Sequence, residues 1–128
     1  MVTDIKRSLN FYEAGLALTV KNVWVPQDRM EWCWLEREGM ALMLQEYRPG
    51  NPNVDAIKGT GVSIWFMCND ALLLFEEFKT KDISFEEPFV GNGMWDVHII
   101  DPDGYSLHFE SPTDIPEETK YYEWLKSK

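Results

Sequence analysis

The chain is written twice. Displaced by 66 residues, Asp4 falls on Asp70, Leu9 on Phe75 and Tyr12 on Phe78; displaced by 65, Gly39 falls on Gly104, Leu42 on Leu107 and Leu44 on Phe109. A repeat of this kind is one supersecondary unit used twice, so whatever order of elements serves one half must serve the other. Ile5, Leu9, Tyr12 and Leu16 recur at helical spacing behind Thr3 or Asp4 as cap and predict a helix over 4–13. Ala71, Leu74, Phe75 and Phe78 behind Asn69 or Asp70 predict a second over 69–81. Strands over 18–25, 30–37 and 40–47 follow the first helix, and strands over 83–90, 94–100 and 105–110 follow the second. Two reversals punctuate them, Glu38-Gly39 and Asp101-Pro102-Asp103-Gly104, the latter with proline presetting φ and glycine free to take positive φ.

One element breaks the symmetry. A clear strand, 61–68, precedes the second helix, whereas only Met1 and Val2 precede the first. The repeat therefore implies a partner strand that this sequence does not contain, and a shortened N-terminus is the expectation, an unpaired sheet edge being the alternative. Residues 48–61, RPGNPNVDAIKGTG, are rich in Pro, Gly and Asn and form the connector. The expected organisation is a first βαβββ module over 1–48, truncated at its start, a linker over 49–60, a second βαβββ module over 61–112, and a tail over 113–128. In the tail a capped helix is expected over 116–126, burying Tyr122 and Trp124 or Leu125.

Composition narrows the function classes. With 45% hydrophobic and 14% aromatic residues, the 128-residue chain can bury a core. A net charge of −10 argues against nucleic acid, whose phosphates require clustered Lys and Arg, and favours cationic ligands where it does more than keep the protein soluble. The longest apolar runs are far shorter than the ~20 residues of a bilayer span, and the first residues contain no secretory h-region. Cys33 and Cys68 stand alone in apolar stretches without Cys-x-x-Cys spacing, so a pair of reduced thiols in a cytoplasmic protein is expected. No P-loop, dinucleotide fingerprint or Ser-His-Asp pattern is apparent, and His98 and His108 are the only imidazoles.

Paired strand–helix–three-strand modules, VTDIKRSLNFYEAGLAL at the front and DPDGYSLHFESP at the back together resemble the vicinal oxygen chelate superfamily, which includes glyoxalase I, extradiol dioxygenases, fosfomycin-resistance transferases and bleomycin-resistance proteins. The resemblance covers nearly the whole chain. It implies an α+β fold with curled mixed sheets around a cleft, plus the short C-terminal helix. It also implies four metal-ligand positions: one upstream of Met1, one on Met43, one on Ser63 and one on His108, where metal-using relatives usually carry Glu. A thioether and a serine hydroxyl are poor ligands for Zn²⁺, Fe²⁺ or Ni²⁺, and a catalytic site normally needs three protein ligands. Gln45 and Glu110 share the alternating faces but lie two residues, ~6–7 Å, further along their strands. No cofactor is therefore expected. His108 and Glu110 are the weak metal candidates, and a divalent Zn, Ni, Fe or Mn enters only if the protein is an enzyme.

Strand alternation sorts the candidate ligand-binding cleft. Met43, Tyr47, Ser63, Trp65, Met67, His108 and Glu110 fall on the cleft side, and Trp95, beside the glycine-broken stretch FVGNGMWD, is a candidate stacking surface for a planar ligand. Each has a structural alternative: Trp65 and Met67 as core, Glu110 as a solvated strand end, His108 bonded to a neighbour, FVGNGMWD as a hairpin instead of a lid. Trp32 and Trp34 share a face that could cover the cleft, pack under the first helix or meet a second chain. Three functions follow. The expected one is a metal-free, homodimeric small-molecule-binding protein like the bleomycin-resistance group, sequestering an aromatic or cationic ligand. The others are a metal-dependent lyase or isomerase resembling glyoxalase I, and a dimeric scaffold with an unused cleft.

Overall fold

A computed structural model describes residues 1–128. The chain divides into two units, residues 1–58 and 59–128. In unit 1 the Asp4 carboxylate accepts from the amides of Lys6 and Arg7 and so starts α1, Ile5–Leu9, which runs on as a π-helical turn, Asn10–Gly15. Ala17, at φ 57°, ends it. Three antiparallel strands follow, β1 (Thr19–Trp24), β2 (Trp32–Arg37) and β3 (Met40–Gln45), in sheet order β1-β2-β3. Glu38 and Gly39, both at positive φ, make the two-residue reversal between β2 and β3. Cys33, Leu35 and Leu44 are buried with Ile5, Tyr12 and Leu16. Trp34 and Met43, cross-strand partners, lie on the other face and are exposed.

In unit 2 the Asp70 carboxylate accepts from Leu73 N–H and caps α2, Ala71–Lys79. The strands are β4 (Ser63–Met67), β5 (Phe89–Gly91), β6 (Met94–Ile100) and β7 (Ser106–Pro112), in order β4-β7-β6-β5, with β4 parallel to β7 and the rest antiparallel. One sheet face is covered: Ala71, Phe75 and Phe78 of α2 are buried along with Trp95, Val97, Ile99, Leu107 and Phe109. At the β6–β7 reversal, Asp101 Oδ1 accepts from the amides of Asp103 and Tyr105, each at 2.9 Å, and Gly104 sits at φ 94°. α3, Tyr121–Lys126, closes the chain.

The repeat extends to individual hydrogen bonds. Val2 N–H donates to Gln45 O at 2.8 Å in unit 1, as Cys68 N–H donates to Glu110 O at 2.9 Å in unit 2. Ile5 N–H is taken by the Glu46 carboxylate, and its counterpart Ala71 N–H by the Ser111 hydroxyl. Val2 forms a single parallel bridge to Glu46, where unit 2 has the full strand β4.

Two expectations change, and one open alternative is decided. Regular strand in 83–90 shrinks to Phe89–Gly91 and one bridge from Phe85 to Ile99. Polar groups there serve α3 instead: Pro88 O accepts from Tyr121 N–H, and the Glu87 carboxylate from Tyr122 N–H. The last helix starts at Tyr121, since Glu118 adopts φ 65° and the Glu117 carboxylate reaches back to the amides of Asn92 and Gly93. Asn92 and Gly93, at φ 54° and 73°, turn FVGNGMWD into a two-residue hairpin, not a lid. No helix is long and apolar enough to cross a membrane. Both cysteines are free, and burial foremost pushes each thiol up, which favours its protonated form.

Candidate functional site

The open face of the four-stranded sheet carries the candidate site. β4 and β7 pair with Ser63 opposite Ser106, Trp65 opposite His108 and Met67 opposite Glu110, while β7 and β6 set His108 against His98 and Glu110 against Asp96. Side chains opposite one another across a ladder share a face, so these residues form one surface. On it three rings stack across three strands. Trp65 lies 3.8 Å from His108 at an interplanar angle of 8°, and His108 lies 4.3 Å from His98 at 3°. Trp65 is 52% exposed and Met67 61%, a large apolar surface left open beside the stack.

A buried carboxylate holds His108, and an exposed one lies close to His98. The Asp96 carboxylate, 5% exposed, accepts from His108 Nδ1–H at 2.9 and 3.1 Å. A carboxylate only accepts, so Nδ1 carries the proton and Nε2 is the ring nitrogen left for another partner. Glu86 Oε2 lies 3.1 Å from His98 Nδ1, and His98 Nε2 meets Ser106 Oγ at 2.5 Å. Glu110 is pushed above the usual carboxylate range, first by burial and then by the nearby Asp96 charge, with His108 acting the other way.

Five of the expected cleft residues, Ser63, Trp65, Met67, His108 and Glu110, thus share one face in unit 2. Trp95 does not. It occupies the alternate position on β6, is 5% exposed, and packs edge-on against Trp124 at 5.4 Å and Tyr121 at 6.3 Å. The one-residue offset from Asp96 sends it to the helix-covered side, so it anchors α3 and offers no ligand surface. In unit 1, Met43 is 59% exposed on the open face of β3, and Tyr47 has Lys58 Nζ 5.1 Å from its ring centroid. Lys58 is itself pinned by the carbonyls of Asn53, Val54 and Ala56. Asp96, His98 and Ser106 were not anticipated as site residues. The alternation did place Ser106 beside His108, but the pairing of β6 with β7, on which the other two depend, is tertiary.

No group of three or more His, Cys, Asp or Glu side chains comes together in a way that could hold a metal ion. At the matched ligand positions stand the thioether of Met43, the hydroxyl of Ser63, and a His108 whose Nδ1 is committed to Asp96. The donor set does not fit a divalent cation of the kind the metal-using relatives hold.

Comparison with known proteins agrees with this architecture. A comparison with curated protein sequences finds no match. Among solved structures, the chain is similar to TnmS3, an antibiotic binding protein from Streptomyces sp. CB03234, with a TM-score of 0.69 and 16% identity over 88% of this chain and 89% of that one. It is also similar to a glyoxalase/bleomycin resistance protein/dioxygenase from Nocardioides, with a TM-score of 0.68 and 15% identity over 94% and 83% of the two chains. A glyoxalase/bleomycin resistance protein from the same Streptomyces gives 0.66 at 15% identity over 86% and 93%. These likenesses establish the fold. The family model for the Glyoxalase/Bleomycin resistance protein/Dioxygenase superfamily matches residues 1–109, which take in both copies of the repeat, and the chain belongs to that superfamily.

Proposed function

We propose that this protein binds a small planar aromatic or cationic molecule without a metal, holding it against the open face of the four-stranded sheet. The observation that carries the reading is the Trp65–His108–His98 stack, with Trp65 half-exposed and Asp96 and Glu110 beside it. Aromatic surface with a few placed polar groups is the usual make-up of a small-molecule site, and a ring face backed by carboxylates attracts cations. His108 Nε2, the nitrogen that Asp96 leaves free, supplies a hydrogen-bonding partner for a polar group of the ligand. TnmS3, an antibiotic binding protein of similar fold, supports small-molecule binding as the class of activity here. The donor set at the matched ligand positions supports a metal-free site.

The test is a tryptophan-fluorescence and calorimetric titration with bleomycin, with a planar cationic dye such as proflavine, and with a planar neutral anthraquinone. Saturable quenching by at least one is expected, weakened ~10-fold or more by Trp65→Ala, since stacking on one ring is worth about 1–3 kcal/mol. If none quenches, and none shifts the melting temperature, the reading fails. Elemental analysis for Zn, Ni, Fe and Mn separates it from a glyoxalase-like lyase: metal near one per chain would favour the lyase. The same proposal takes the protein as cytoplasmic and homodimeric, the latter checked by light scattering coupled to size exclusion.

A further inference from the structure

Ser106, His98 and Glu86 form a second constellation, which shares only His98 with the ring stack. Ser106 Oγ is 2.5 Å from His98 Nε2, and the ring's other nitrogen is 3.1 Å from the Glu86 carboxylate. The order hydroxyl, imidazole, carboxylate is the arrangement that activates a serine: the carboxylate fixes the tautomer, and the free nitrogen takes the hydroxyl proton. Backbone geometry sets it up. Glu86 N–H donates to His98 O at 3.3 Å, and Phe85 bridges to Ile99, so the Glu86 carboxylate, though 74% exposed, is carried on a segment tied to β6 within ion-pair distance of the histidine. His98 is clamped from its ring face by His108, whose own Nδ1 is held by Asp96. Ser106 begins β7, paired with Ile100 on one side and Ser63 on the other, so its backbone position is set by the sheet.

We infer that Ser106 is a nucleophile, with His98 as its general base and Glu86 as positioning residue, and that the site cleaves aryl esters. Ser106 Oγ attacks the ester carbonyl carbon and forms the new C–O bond, while its proton passes to His98 Nε2. The bond from the carbonyl carbon to the aryl oxygen breaks, and the aryl oxide leaves as a phenol with the proton returned by His98. Water then attacks the acyl-serine, giving its proton to His98 and releasing the carboxylic acid with the Ser106 hydroxyl restored. The balance is aryl ester plus water to phenol plus carboxylic acid. Aryl esters are the chosen class because a phenol is a good leaving group and because His108, two residues along β7 from Ser106, and Trp65, stacked on it from β4, offer ring surface. That choice of leaving group rests on the ring-stacking reading above; the nucleophile assignment does not.

The experiment treats the intact chain with 4-nitrophenyl acetate and, separately, with a small alkyl fluorophosphonate, and maps the adducts by peptide mass spectrometry. Both reagents are expected to modify Ser106, with Ser106→Ala and His98→Gln each lowering nitrophenol release by about 100-fold or more. Circular-dichroism melts confirm that the variants fold, and the fluorophosphonate adduct on the unmodified chain requires no variant at all. Adducts confined to lysines or termini, or folded variants that release nitrophenol at the parent rate, would overturn the assignment. The alkyl probe carries no ring, so labelling of Ser106 by it alone, without aryl-ester turnover, would overturn the substrate class while retaining the nucleophile.

Discussion

Asp96 is the hinge of the candidate site, and replacing it by asparagine isolates what a buried carboxylate does for His108. Its two contacts to His108, at 2.9 and 3.1 Å, come from a single Nδ1–H shared between both oxygens, so they count as one charge-assisted hydrogen bond. Side-chain exposures of 13% and 5% leave little room for water to replace it or salt to screen it. Hydrogen bonds to charged groups contribute about 1.5–3 kcal/mol. Removing the charge also relieves repulsion of Glu110, the neighbour whose titration Asp96 raises, which works in the opposite direction. A net loss of about 1–2 kcal/mol is expected for Asp96→Asn, or about 0.5–1 M in the urea midpoint for a slope near 2 kcal/mol/M. Asp96→Leu, which leaves His108 Nδ1–H with no acceptor, should lose more. The assay is urea unfolding at neutral pH, paired with NMR titration of the Glu110 carboxyl. In Asp96→Asn the Glu110 value should fall but stay above the usual range, because burial is the larger cause. A variant as stable as the parent, a leucine variant more stable than the asparagine one, or an unmoved Glu110 would refute the argument.

Further expectations are open to the same kind of test. Tyr121 O–H donates to Glu76 Oε1 at 2.6 Å, which pushes the phenol up to about 12 and holds the Glu76 carboxyl below its usual range. The Tyr121 contribution is therefore complete below the ordinary phenol value and lost as pH rises toward 12, while the Glu76 contribution is complete above the ordinary carboxylate value and lost as pH falls through its lowered one. Tyr121→Phe should cost about 1 kcal/mol on that plateau, the low end because Glu76 is half-exposed, and urea midpoints across pH should show the difference shrinking at both extremes. Glu110→Gln should stabilise the fold by under about 1 kcal/mol at neutral pH, the gain vanishing in acid, because a carboxyl raised on folding disfavours the ionised native state. Ser8 is fully buried with no partner for its hydroxyl, so Ser8→Ala should raise the melting temperature or leave it unchanged, worth up to about 1 kcal/mol. Both thiols should react slowly with a disulfide reagent in the native protein, Cys33 more slowly than the less buried Cys68, and rapidly once unfolded.

What the sequence determined by itself was the repeat and everything local to it. Asp4 and Asp70 announced both helix starts because a capping carboxylate acts within three residues. Asp101-Pro102-Asp103-Gly104 announced its turn because those four residues make most of the turn's own bonds. Alternation sorted Ser63, Trp65 and Met67 onto one face of their strand and His108 and Glu110 onto one face of theirs, since a strand's period of two is a local property, and the pairing of β4 with β7 made the two faces one. Tertiary structure decided the rest. Trp95 looked like a ligand surface because loop and strand cannot be aligned to a face until the hairpin register is set; Asn92 and Gly93 set it, and Trp95 went to the covered side. The strand expected over 83–90 and the helix expected from 116 both yielded where backbone and carboxylate groups found partners 24–35 residues away. The carboxylate that holds His108 and the serine that meets His98 come from pairing β6 with β7, and no single-strand pattern encodes which side chain of a neighbouring strand will lie opposite.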